Sequence, residues 1–187
     1  MPIDTDNISE KTGIFLDRVT GDLVIVDEFV EVMRIDKNTR SVSWVGGTST
    51  VVRTEKISLT ADEVKALAAS PKTLVAAQGS NKLIGFMGAY LVLRDDGTDY
   101  DNASGDGDLV VKHVDGDGVA VSEVIEAAGF IDASGEVYHR VVPLAAGPST
   151  TAQVNNTALV LYNDGAEFTT GTRTLDVFIG YCVHDVG

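Results

Sequence analysis

The chain has 187 residues, 44% of them hydrophobic and 22% charged, with 14 Lys and Arg against 28 Asp and Glu for a net charge of −14. That balance belongs to a folded globular protein of one ordinary domain with room for an appended arm, and it excludes a disordered chain. It also argues against nucleic acid and anionic membrane surfaces as partners, because both require a basic patch and no segment of this sequence offers one.

No apolar run approaches the roughly 18 residues that span a bilayer. The opening Met1-Pro2-Ile3-Asp4-Thr5-Asp6 is acidic and polar, unlike a secretory signal or a basic transit peptide. The single cysteine, Cys182, excludes an intramolecular disulfide framework and leaves too few thiolates for a zinc cluster.

In chain order, alternating and β-branched residues predict strands over 13–19 and 23–33, separated by the turn signal Thr20-Gly21-Asp22. Further strands are expected at 41–45, closed by Gly46-Gly47, and at 50–57. Together these four read as a meander of hairpins. A helix signal follows. Thr60 and Glu63 stand at capping-box spacing, so each side chain can satisfy the other residue's backbone amide. Val64, Leu67 and Ala68 then share a face up to Ser70-Pro71, where the residue before proline leaves helical geometry. A helix of about 8 to 10 residues is too short to persist alone in water and must pack on the sheets.

After Pro71 the pattern predicts strands at 73–78, 82–94, 109–114, 118–125, 137–144, 158–161 and 174–183, punctuated by Gly, Asp, Asn and Ser. Such spacing suits an antiparallel sandwich or jelly-roll-like fold. Composition changes near Ser58: residues 1–57 hold seven basic and ten acidic side chains, residues 58–187 seven and eighteen. The expected architecture is mainly β, an N-terminal β arm or small subdomain over 1–57 and an antiparallel β-sandwich with one short helix over 58–187.

Residues that could carry chemistry are few. Eight aspartates crowd residues 95–117, and Asp99, Asp101, Asp106 and Asp108 are the candidate ligands for a hard cation such as calcium. The spacing is not that of an EF-hand, and Asp-Gly runs are common turn formers, so turns are the expectation and no metal or cofactor is assigned. His113, His139 and His184 show no metal-ligand spacing. The G-x-S-x-G elbow and a phosphate-binding glycine loop are both missing. Cys182 lies in an apolar strand pattern, where a buried inert thiol is expected. Trp44, Tyr90, Tyr100, Tyr138, Tyr162 and Tyr181 suit strand cores better than a sugar platform. Catalysis has no candidate, and no enzyme is expected.

Two segments, Leu59-Thr60-Ala61-Asp62-Glu63-Val64-Lys65-Ala66-Leu67 and Ser70-Pro71-Lys72-Thr73-Leu74-Val75-Ala76-Ala77-Gln78-Gly79, resemble a helix and strand of small β-rich structural virion proteins of tailed bacteriophages. The likeness continues through Gly88-Ala89-Tyr90-Leu91-Val92-Leu93, Gly107-Asp108-Leu109-Val110-Val111 and the closing strand 171–181, and so covers about residues 58–187. The resemblance implies a capsid decoration (cement) protein on the head surface of the virion, assembled in the host bacterial cytoplasm. Its partners would be the major capsid protein and further copies of the chain in a homotrimer. A tail or fibre component, or a receptor- or glycan-binding module, is the alternative it implies. On this reading residues 1–57 make the capsid or subunit contacts through Arg18, Arg34, Lys37, Arg40, Arg53 and Lys56, while the acidic loop 95–117 faces solvent.

Overall fold

The computed structural model describes residues 13–16, 23–27, 30–35, 42–43, 52–101, 107–114, 116–145 and 154–186. The chain divides into two compact units, Met1–Val51 and Val52–Gly187. The first holds β1 (Gly13–Leu16), β2 (Leu23–Asp27), β3 (Val30–Ile35) and β4 (Val42–Ser43) in an antiparallel sheet of order β1-β2-β3-β4. The single strand expected over 23–33 is instead two: β2 pairs back on β3, with Asp27 opposite Val30. Residues 23–33 contain no glycine, proline or asparagine to mark a turn, so the reversal was hidden. The turn signals at 20–22 and 46–47 lie outside the described residues.

The second unit begins with β5 (Arg53–Leu59), followed by α1 (Ala61–Lys65), β6 (Lys72–Val75), β7 (Lys82–Leu93), β8 (Leu109–His113), β9 (Val137–Val141), β10 (Leu159–Asn163) and β11 (Leu175–Asp185). Two antiparallel sheets form, a four-stranded one of order β5-β11-β7-β9 and a three-stranded one of order β6-β10-β8. Here the expected meander is corrected. β5 pairs with β11, from Leu59 opposite Leu175 to Arg53 opposite Tyr181, so it belongs to the sandwich, and the compositional boundary at Ser58 runs through a strand. Charge at an edge strand is a surface property; the partner is set by the apolar Ile57 and Leu59, which meet the core.

The core lies between the inner faces of the two sheets. Leu91, Leu93, Leu175, Val177 and Ile179 from one pack with Leu109, Val111, Leu159 and Leu161 from the other, all essentially free of solvent. β7 is apolar at nearly every position, which hides its alternation. A bulge resolves it: Gly180 pairs with Gly88 and Tyr181 with Phe86, leaving Met87 as the extra residue. The inward set therefore switches from Ile84 and Phe86 to Ala89, Leu91 and Leu93, and Met87 turns outward. Gly88 has φ +130°, a conformation that a side chain would strain.

α1 is shorter than expected, because Ala66 ends it and the Leu67 amide turns back to the Val64 carbonyl, three residues before it. The capping box is present: the Glu63 amide donates to Thr60 Oγ1 at 3.4 Å and the Thr60 amide to Glu63 Oε2 at 2.9 Å. Val64 and Leu67 bury their side chains completely. The strand expected at 118–125 is a correction too. The Val121 and Ile125 amides donate to Val111 and Leu109 of β8, while the Glu123 amide donates to Val142 just after β9. The segment stitches the two sheets together and so cannot form a regular ladder with either.

A chain reduced to residues 52–187 is expected to keep one cooperative melting transition. Reduction to 58–187 removes most of β5 and lowers the melting temperature by roughly 10 °C or more. Equal melting temperatures for the two forms contradict the placement of β5.

Candidate functional site

The two buried charges of the second unit, Arg173 and Asp176, are each held by partners of opposite charge. Arg173 is 3% exposed; its guanidinium donates to the Ala133 and Gly135 carbonyls at 2.6 and 3.0 Å and lies 2.8 Å from both Asp95 and Asp99. Asp96 accepts from the amide and hydroxyl of Thr174, which together hold its carboxyl below the usual range. Asp108 accepts from the Ala127 amide at 3.1 Å. The aspartate-rich segment is thus folded by an internal cation and by backbone donors. Of the four candidate ligands, Asp99 is committed to Arg173 and Asp108 to the backbone, Asp101 is exposed, and Asp106 lies outside the described residues. Among the described residues no three His, Cys, Asp or Glu side chains are grouped to hold a metal ion. Arg173 escaped the sequence reading because its partners lie about 40 and 75 residues away along the chain.

A second pair centres on Asp176, whose side chain is 6% exposed and points from β11 to the outer face of the four-stranded sheet. Arg94 reaches it through Nε at 2.7 Å and a second nitrogen at 2.6 Å, Lys56 Nζ lies at 3.0 Å, and the Ser58 hydroxyl donates to the other oxygen. Burial pushes the carboxyl up, but the bonds from Ser58, Lys56 and Arg94 outweigh it and hold the group below its ordinary value. Elsewhere, Cys182 Sγ sits 3.1 Å from His184 Nε2, with burial raising the thiol. It remains protonated at neutral pH and is a poor nucleophile. His113 is buried against Thr157 Oγ1 at 2.8 Å, and burial lowers its pKa.

Apolar surface is displayed on the same outer face. The register sets Lys56 of β5 beside Phe178, Phe178 beside Tyr90, and Tyr90 beside Arg140. Two aromatic rings therefore lie between two cations in a row that crosses all four strands. Lys56 Nζ stands 5.6 Å from the Phe178 ring centroid. In the next row Gly180 and Gly88 lack side chains, and a groove of about 620 Å³ opens along them. Val52, Met87, Tyr90 and Phe178 line it and are 55, 52, 50 and 40% exposed. Tyr138 is also exposed, whereas Tyr100 and Tyr181 are buried and Trp44 lies outside the described residues.

Of the six basic residues expected to make contacts, Lys56 borders this groove with its ammonium on Asp176, and Arg53 is exposed at the start of β5 beside Tyr181. Arg34 lies in β3, where the backbone alone is described. Arg18, Lys37 and Arg40 lie outside the described residues. The cross-strand row could not be found by spacing, because it exists only once the strand register is known.

No protein-family model matches the chain, and no curated protein matches it. Among solved structures it is similar to a chain described as "Cyanophage Pam1 capsid asymmetric unit", with 14% identity and a TM-score of 0.38 over 78% of this chain and 94% of that one. A likeness of that size fixes neither fold nor function.

The depressed Asp176 carboxyl makes a pH prediction. A carboxyl that binds its proton more weakly when folded stabilises the fold above the unfolded value near 3.9, and that stability is lost as pH falls through the folded value. Asp176→Asn is expected to cost about 2 kcal/mol at neutral pH, and its stability declines less steeply than that of the wild type below about pH 4. Urea unfolding at stepped pH measures both; parallel profiles contradict the assignment.

Proposed function

We propose that the chain is a structural virion protein of a tailed bacteriophage, a decoration protein that binds and stabilises the mature head shell. The observation that carries this reading is the division of labour in the second unit. Its buried charges serve the fold, while Val52, Met87, Tyr90 and Phe178 gather exposed apolar surface on one sheet face, as a surface made for docking requires. The sequence resemblance over 58–187 supports the same reading. A binder that recognises the assembled shell and not its dissociated subunits stabilises that shell by its binding free energy, with no catalytic group. The proposed contacts of residues 1–57 use Arg18, Arg34, Lys37, Arg40, Arg53 and Lys56, and the chain acts as a homotrimer on the major capsid protein.

The test adds purified protein to shells isolated without it and follows bound copies and shell melting. Saturable binding at high copy with a raised shell melting temperature is expected, and residues 52–187 alone bind more weakly than the full chain. Shells that neither bind the protein nor gain stability overturn the proposal. Binding confined to tails, or to isolated glycans, favours a tail or receptor-binding module instead.

A further inference from the structure

Residues 58–187 contain seven lysines and arginines. Lys65, Lys72 and Lys82 pair with Asp62, Glu63 and Asp185. Arg94 pairs with Glu136 as well as Asp176, and Arg173 with Asp95 and Asp99. Lys112 donates to the Gly116 carbonyl and stands 4.6 Å from the Tyr162 ring centroid. Arg140 is the exception: among the described residues it has no anionic or hydrogen-bonding partner. It is exposed on β9, at one end of the row that runs through Tyr90 and Phe178 to Lys56.

Two features of the groove point to its occupant. The charged residues lining it are Lys56, Arg140 and Glu55; Lys56 is already held by Asp176, so the cation that offers itself to an occupant is Arg140. The occupant that complements it brings a carboxylate to Arg140. The groove also crosses four strands, a distance of about 15 Å at ordinary strand spacing, which is the length of roughly five residues of extended polypeptide. A second copy of this chain brings another net charge of −14 to the contact, which opposes association here as in the proposed trimer; the mass measurement below separates it from the shell protein.

We propose that this groove is a docking site for an extended, carboxylate-bearing segment of the shell protein, whose apolar side chains lie among Met87, Tyr90 and Phe178 while its acidic residue meets Arg140. The inference rests on the decoration reading and adds to it a contact surface on the sandwich, which shares β5 with the contacts proposed for residues 1–57 and adds β7, β9 and β11 to them. Two surfaces on one chain bind jointly, and loss of either weakens the whole.

The full chain is tested with two substitutions. Arg140→Glu reverses the unpaired charge at an exposed position. Gly180→Leu fills the groove, and a Cβ there meets only the Gly88 carbonyl oxygen at 3.6 Å and Met87 Cβ at 3.8 Å, which is ordinary contact. Cosedimentation with shells isolated without the protein gives affinity, circular dichroism melting reports folding, and light scattering reports mass. Wild type is expected to bind, and each variant to melt like wild type yet bind at least about tenfold more weakly. Folded variants that bind as wild type does overturn the groove assignment and leave the decoration reading standing. Wild type that does not bind overturns both. A change of oligomeric mass in the variants makes a second copy the occupant and overturns the proposal. If Gly180→Leu does not fold, Arg140→Glu alone decides.

Discussion

Strand β11 is the constraint on which the second unit depends. It pairs with β7 over its whole length and with β5 over its first seven residues. Its inner side, Leu175, Val177 and Ile179, fills the core, while its outer side carries Asp176, Phe178 and Gly180. A slip of one residue would drive Asp176 into the core and turn apolar side chains to the surface. The three donors around Asp176 come from β5, from Ser58 and Lys56, and from Arg94 just after β7. One carboxylate thereby fixes the register of both neighbours. Isolated buried ion pairs contribute little net stability; this one's effect is to select a single register.

The outer face follows from that register. The β7 bulge turns Met87 outward and sets Gly88 opposite Gly180, so the sheet has a channel without side chains flanked by rings. Internal pairing also decides what remains for the surface. In an acidic chain the scarce cations of the sandwich are taken up by Asp95, Asp99, Asp176 and their like, and Arg140 is left without a partner among the described residues. Charge that is absorbed internally cannot direct association, whereas an unpaired guanidinium beside an apolar groove can.

Legibility in the sequence differed with the range of the interaction. The capping box at Thr60 and Glu63, and the long strands β7 and β11, were readable because local spacing and unbroken apolar runs determine them. The placement of β5 was not, since composition averaged over a segment reports surface charge and not strand partners. Residues 118–125 look like a strand because valines recur along them at 119, 121 and 124, yet their amides are divided between two sheets. The roles of Arg173 and Asp176, and the row from Lys56 to Arg140, join residues far apart in sequence. No spacing rule reaches them.

The most direct test of the account is a cryo-EM comparison of mature heads with and without the protein. The account predicts added density at high copy on the shell, with the face that bears Met87, Tyr90 and Phe178 turned toward the shell protein. Heads with no added density, or density that leaves this face toward solvent, contradict it.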